Sequence, residues 1–171
     1  MEIKSDRITL REMTEADWAN YVSHVTGDGE VFIQYGLEPE PDLIDYIQSP
    51  TPEVIYRSII LNDTNEMVGH MGIATYNDNL EFYTFKEHRN NKYCSEALPL
   101  FIQAYLDGHL DNELHDVVVA ETLSVNEASI HVLEKAGFTK EAIGFRGLLP
   151  EDDEESTVKN IVMLRRYEYK K

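Results

Sequence analysis

The sequence predicts a mixed α/β (α+β) domain built on a mostly antiparallel sheet, and three observations carry that expectation. Apolar periodicity switches several times between strand-like alternation and helical spacing. Three strand-like segments follow one another with only turn-rich tetrapeptides between them. The run Val117-Val118-Val119-Ala120 is apolar at consecutive positions, as in a strand covered on both faces.

Element by element, Arg7 to Arg11 reads as a short strand. Thr14 to Val25 reads as a helix opened by Thr14, with Glu15 and Asp17 in its first turn where the helix dipole favours acids. The stretch from Thr26 to Pro52 is less regular, carrying Gly27, Gly29, Gly36, Pro39, Pro41, Pro50 and Pro52, with one short helix expected near Asp42 to Gln48. Strands follow at Val54 to Leu61, Met67 to Thr75 and Leu80 to Lys86. Asn62-Asp63-Thr64-Asn65 and Tyr76-Asn77-Asp78-Asn79 turn between them, giving a meander. Leu98, Phe101, Ile102, Tyr105 and Leu106 repeat at helical spacing, and Cys94 and Ala97 extend the stripe backwards to a helix that Gly108 ends. Asp116 to Glu121 is the expected central strand. Asn126 caps the next helix, Val125 and Ile130 are spaced as a hydrophobic staple, and Gly137 stops it after Lys135. Strands near Phe138 to Gly144 and Val158 to Arg166 close the chain around the acidic loop Glu151 to Glu155.

At 171 residues, 42% of them hydrophobic, the chain has the size of a single domain, 1–171, with a sizeable core. A formal charge of −17 repels nucleic-acid phosphates and anionic membranes, so neither is an expected partner. The same field attracts cationic ligands such as polyamines, aminoglycosides or basic protein tails, although acidic surfaces also serve solubility alone. The single cysteine, Cys94, excludes an internal disulfide and a cysteine metal cluster. No apolar run approaches the roughly 20 residues of a membrane span, and the N-terminus reads neither as a signal peptide nor as a lipidation site. A cytoplasmic protein is expected. The six histidines show no metal-ligand spacing and no paired acid, so no metal is expected.

The segment Lys86-Glu87-His88-Arg89-Asn90-Asn91-Lys92-Tyr93-Cys94-Ser95-Glu96-Ala97 joins a strand to the start of an amphipathic helix. The first amides of a helix lack internal partners and carry the positive end of its dipole, so such a junction can bind a phosphate. Lys86, Arg89 and Lys92 concentrate positive charge there in an otherwise acidic chain. An ordinary loop with solubilising basic residues would read the same way.

These residues also carry a resemblance that spans nearly the full length. Arg7-Ile8-Thr9-Leu10-Arg11 and Val68-Gly69-His70-Met71-Gly72 are similar to the opening and central-hairpin strands of the GNAT superfamily of N-acetyltransferases. Arg89, Cys94 and Ser95-Glu96-Ala97 fit its pyrophosphate loop, with Asn90 and Lys92 standing where glycines are common. Asn126-Glu127-Ala128-Ser129-Ile130-His131-Val132-Leu133-Glu134-Lys135-Ala136-Gly137-Phe138 matches its second motif, and the chain most resembles the branch of ribosomal-protein N-terminal acetyltransferases. Glycine permits positive φ and close approach to phosphates; Asn tolerates that region and Lys92 less so. With Ser95 as the expected N-cap, Pro99 falls at the fourth helical position, where it removes one hydrogen bond.

The resemblance implies a GNAT-like sheet, mostly antiparallel and splayed, flanked by helices on both faces, and acetyl-coenzyme A as cosubstrate with no metal. It implies that the backbone of Thr84, Phe85 and Lys86 meets the pantetheine arm. The loop from Arg89 through Asn90, Asn91, Lys92, Tyr93, Cys94 and Ser95 meets the pyrophosphate, and Asn126 and Ser129 approach the thioester. Many relatives place a Tyr acid where Leu133 stands. Ser129 is then the candidate donor to the thiolate, against the plainer reading of a serine bonding its own backbone. Glu81 is the candidate base, against that of a solvated strand face. Cys94, on the buried stripe, is expected to be inert. The acceptor is a primary amine, on a protein N-terminus or a small polyamine or antibiotic. The alternatives are a GNAT fold that binds coenzyme A or a partner without turnover, and an acidic adaptor that never touches coenzyme A. The state expected is monomer or homodimer.

Overall fold

The computed structural model describes residues 1–28, 53–123, 126–146 and 162–171, with backbone alone for 142–146 and 162–166. The expected helix near Asp42 to Gln48 and the acidic loop Glu151 to Glu155 lie outside the described residues. The elements are β1 (Ile3–Lys4), β2 (Ile8–Glu12), α1 (Glu15–Gly27), β3 (Val54–Leu61), β4 (Met67–Ala74), β5 (Asn79–Thr84), α2 (Tyr93–Leu106), β6 (Val117–Leu123), α3 (Glu127–Lys135), β7 (Thr139–Arg146) and β8 (Val162–Lys170).

All eight strands form one sheet in the order β1-β2-β3-β4-β5-β6-β8-β7. Every neighbouring pair is antiparallel except β5 and β6. That parallel pair registers only Asn79 with Val119 and Leu80 with Ala120, after which the strands part. The result is a fork between Glu81–Thr84 on one side and the rest of β6 on the other. The mixed α/β, mostly antiparallel class read from the sequence is the class observed.

Helices cover both faces. On one, the apolar stripe of α2 (Ala97, Leu98, Phe101, Ile102, Tyr105) packs with Ile8, Leu10, Ile59, Val68, Met71, Ile73, Leu80, Val118 and Ala120, joined by Ile130 and Leu133 of α3. Each large side chain fully buried there contributes about 1.5–3 kcal/mol relative to exposure. On the other, Tyr21 and Val25 of α1 pack with Ile60, Met67, Tyr83 and Phe85. Because side chains alternate along a strand, Ile59 and Ile60 serve opposite cores. Gly69 sits where a Cβ would come 2.1 Å from the Tyr83 carbonyl oxygen, so β4 and β5 can pair closely there.

Thr14 caps α1 in a full capping box, its hydroxyl accepting from Asp17 N–H while the Asp17 carboxylate accepts from Thr14 N–H. Asn126 caps α3 by accepting from Ser129 N–H at 3.1 Å, and Gly137 leaves the helix at φ +97°.

Three expectations need correction. Helix α2 is capped by Lys92, not Ser95: Lys92 holds φ 66°, ψ 17°, and its carbonyl accepts the first helical bond from Glu96 N–H at 3.0 Å. Pro99 is therefore an interior residue, and Ser95 C=O loses the donor it would have had at position 99. β8 runs to Lys170 rather than stopping at Arg166, because it stays paired with β6 as far as Lys170 opposite Val117 and buries Tyr167 fully.

Candidate functional site

Between Thr84 at the end of β5 and the first turn of α2, the chain makes a 3-10 turn over Lys86–His88 and then a tight loop. Asn90 and Lys92 are both left-handed, at φ 67° and 66°. These are the two positions where the resembled loop commonly carries glycine, so the backbone shape is kept without glycine. Among the described residues, none of the backbone N–H groups of Asn90, Asn91, Lys92, Tyr93, Cys94 and Ser95 has a hydrogen-bond acceptor. Six consecutive donors at a helix N-terminus can together bond an anion with several oxygens.

The side chains around this loop divide. Lys86 and Lys92 are exposed and, among the described residues, form no ion pair. Arg89 is turned inward instead: its guanidinium pairs with the Asp28 carboxylate and lies 5.7 Å from the Tyr83 ring centroid, while its Nε donates to Thr84 C=O at 3.3 Å. Tyr83 donates its hydroxyl to the same Asp28 at 2.7 Å; burial and that carboxylate push the phenol far up. Asn91 folds its amide back on the carbonyls of His88 and Arg89.

The loop is fixed to the N-terminal strands, a contact that sequence reasoning missed. Arg7 Nε donates to Glu96 Oε2 at 2.7 Å, Ser5 Oγ donates to Glu96 Oε1 at 2.6 Å, and Arg7 also reaches Asn91 C=O at 3.3 Å. Its guanidinium lies over the Tyr93 ring at 5.2 Å. Burial pushes the Glu96 carboxyl up, but the Ser5 and Arg7 donors outweigh it and hold it below the usual range. Without Arg7, Glu96 would place an uncompensated negative charge beside the anion site.

At the fork, Phe85 N–H is already donated to Val68 C=O at 2.9 Å, so of Thr84, Phe85 and Lys86 the backbone of Thr84 faces the open edge. The Phe85 side chain is buried under His24 of α1, rings stacked at 3.8 Å. Cys94 is buried, with Sγ 2.8 Å from Thr84 Oγ1; burial pushes its thiol up to about 11. Ser129 is half-buried, and its hydroxyl makes no hydrogen bond among the described residues, so it does not bond its own backbone. Asn126 spends its carbonyl oxygen on the cap.

Glu81 is the first residue of β5 past the last parallel pair, and Glu121 holds the equivalent place on β6. Glu81 is not a fully solvated strand residue: it is 26% exposed, and its Oε1 meets His70 Nε2 at 3.2 Å. The expectation that no histidine has a paired acid is thus overturned. His24 meets Glu87 at 2.7 Å, His88 meets Glu66 at 3.2 Å, and His115 meets Asp111 at 2.8 Å and Asp78 at 3.3 Å. Most of these acids come from other elements, where linear spacing cannot reveal them. No group of three or more His, Cys, Asp or Glu side chains suited to a metal ion occurs among the described residues. No described helix is long and apolar enough to cross a membrane.

The described strands form a sheet forked at its one parallel pair, with a run of amides lacking acceptors at a helix N-terminus beside the fork, a cleft with donors suited to a polyanion at one end. A profile of the family described as "Acetyltransferase (GNAT) domain" matches residues 7–139. The chain belongs to that family and is an acyltransferase dependent on acetyl-coenzyme A. Among solved structures it is similar to a GNAT-family acetyltransferase from Bacillus anthracis, at 20% identity and TM-score 0.75, covering 99% of this chain and 98% of that one. It is similar to the microcin C7 self-immunity acetyltransferase MccE in complex with acetyl-CoA and AMP, at 14% identity and TM-score 0.72, covering 98% and 94%. It is also similar to RimL, a ribosomal alpha-N-protein acetyltransferase, in complex with coenzyme A, at 15% identity and TM-score 0.70, covering 99% and 98%. No curated protein matches the sequence significantly.

Proposed function

We propose that the chain is an N-acetyltransferase that moves acetyl from acetyl-coenzyme A to a primary amine, on a protein N-terminus or a small polyamine or antibiotic. The observation that carries this is the fork. It has six unpaired amides at its cofactor end, and carboxylates at Glu81 and Glu121 follow the last paired residues of its two prongs. A protonated amine is drawn to the acids, and a polyanion to the amides.

The chemistry of the loop donors fits a pyrophosphate. The amides of Asn90 through Ser95 would hold it, with Lys86 and Lys92 adding charge, while the open edge at Thr84 takes the pantetheine arm as an added strand. Bound acetyl-coenzyme A supplies an activated acyl thioester whose transfer leaves a free thiol. Glu81 accepts the proton that the ammonium group must lose before it is nucleophilic. Ser129, with its hydroxyl uncommitted, donates to the developing thiolate. Arg89 orders the loop through Asp28 and leaves phosphate contact to the backbone. The similarity to RimL makes a protein N-terminus the first acceptor to test. The acting unit is a single domain, cytoplasmic, as a monomer or homodimer.

Free thiol is followed on mixing the protein and acetyl-coenzyme A with N-terminal peptides, spermidine and an aminoglycoside. Release with one class identifies the acceptor, and Ser129→Ala slows release more than it weakens coenzyme A binding. Binding without release across the panel replaces the reading with a non-catalytic coenzyme A protein. No binding at all leaves the acidic adaptor.

A further inference from the structure

His70 is fully buried on β4, and its cross-strand neighbours are Ser58 of β3 and Tyr83 of β5. Aromatic rings fix it: Tyr21 of α1 at 4.3 Å, Tyr56 at 6.0 Å and Tyr83 at 6.4 Å between centroids. Its Nε2 meets Glu81 Oε1, and its Nδ1 is buried without a hydrogen-bond partner among the described residues. Ser58 Oγ, on the paired position, is likewise buried without a partner.

A carboxylate only accepts, so Nε2 carries a proton in this pair, and in the neutral ring Nδ1 keeps its lone pair. The neighbouring Ser58 hydroxyl is the group able to donate to that lone pair and so to favour the same tautomer. Glu81 is consequently held by one oxygen. Its Oε2 has no hydrogen-bond partner among the described residues.

We infer that His70 is a positioning residue for acetyl transfer, holding Oε1 of Glu81 through Nε2–H so that Oε2 is the basic oxygen offered to the acceptor amine. The inference rests on Glu81 being the base. In the transfer the nitrogen–acetyl bond forms and the carbon–sulfur bond breaks. The ammonium proton goes to Oε2, the second proton shed by the nitrogen after attack goes to the departing sulfur and leaves coenzyme A as the free thiol, and His70 keeps its own proton throughout. An oxygen fixed by a donor in a ring-lined slot loses little freedom on reaction, which is where positioning lowers a barrier. Among the described residues, the other titratable or charged groups facing the pair are Tyr21 from α1, Tyr56 from β3 and Tyr83 from β5, the last engaged with Asp28 and Arg89. Arg11, paired with Asp17, lies across from Ser58, and Glu121 stands on the other prong of the fork.

The test compares wild type, Glu81→Gln, His70→Leu and His70→Gln, using acetyl-coenzyme A with an N-terminal-alanine peptide and with spermidine. His70→Leu lowers kcat by roughly ten- to a hundredfold, leaves KM for acetyl-coenzyme A unchanged, and moves the acidic limb of kcat/KM to higher pH, because the carboxylate loses its donor. His70→Gln, whose amide nitrogen stands near the Nε2 position, restores both. The 15N imidazole spectrum of the wild type, which needs no variant to fold, shows His70 protonated on Nε2 alone. An unmoved acidic limb in His70→Leu while Glu81→Gln is inactive overturns the inference and spares the base, as does a proton on Nδ1. Full turnover in Glu81→Gln, or no thiol release by wild type from either probe, overturns the reading beneath it and the inference with it.

Discussion

Arg7 and Glu96 stand 89 residues apart in the chain and meet with Nη2 2.5 Å from Oε2, tying the N-terminal segment to the first turn of α2. Arg7 also grips Asn91 C=O and covers Tyr93, so it holds the loop at three points.

Arg7→Ala is expected to raise the Kd for coenzyme A severalfold with little change in kcat. The global cost is below about 1 kcal/mol because the pair is half-exposed. Isothermal titration and a urea melt of the same sample check both parts. Unchanged affinity would mean the loop holds its shape unaided.

Lys92 holds a left-handed conformation that costs an L-residue about 1–2 kcal/mol. Lys92→Gly is therefore expected to stabilise the protein, by roughly 0.5–1 kcal/mol once the greater freedom of glycine in the unfolded chain is subtracted. Denaturant unfolding reads this directly. A loss of stability would show that the lysine side chain compensates for its backbone.

The strand and helix succession was legible in the sequence because it rests on local periodicity: β3 occupies the expected residues, and Asn126 caps α3 as expected. The bend between β5 and α2 was legible, since Asn90 and Lys92 adopt the backbone that glycine would have supplied. Its boundary was not. A left-handed lysine as N-cap breaks the local preference for Ser, Thr, Asp or Asn in an extended conformation, so Ser95 looked the better cap. The pairings that decide chemistry were hidden for another reason. Arg89 with Asp28 and His70 with Glu81 depend on strand register and on which face α1 covers, neither of which leaves a trace in linear spacing.

Asp17 supplies a pH dependence of stability. Burial raises its carboxyl, but the Arg11 guanidinium and the Thr14 donors outweigh this and hold it below the ordinary carboxylate range. A depressed folded-state value means the contribution is present in full above the unfolded value of about 3.9 and is lost as pH falls through the folded one. Asp17→Asn should cost roughly 1–2 kcal/mol near neutrality, and the difference from wild type should shrink as the pH is lowered below about 4. Thermal melts across that window check it. A difference that stays constant with pH would remove the ion pair from the account.

Cys94 should be unreactive in the native state. Burial raises its thiol to about 11, the Thr84 contact only partly offsetting this, so thiolate is scarce near neutral pH and reagents have no access. Iodoacetamide labelling is expected to proceed only as fast as the protein opens, and to accelerate sharply in denaturant. Rapid labelling of the folded protein would contradict the buried placement.

The central claim is that the backbone of residues 90–95 binds the pyrophosphate of coenzyme A. Its most direct test is a titration of 15N-labelled protein, followed at each backbone amide, with coenzyme A and separately with pantetheine, which lacks the pyrophosphate. The account predicts downfield shifts of the amide protons of Asn90 through Ser95 with coenzyme A, and none there with pantetheine. Binding of coenzyme A that leaves those six amides unmoved would contradict it.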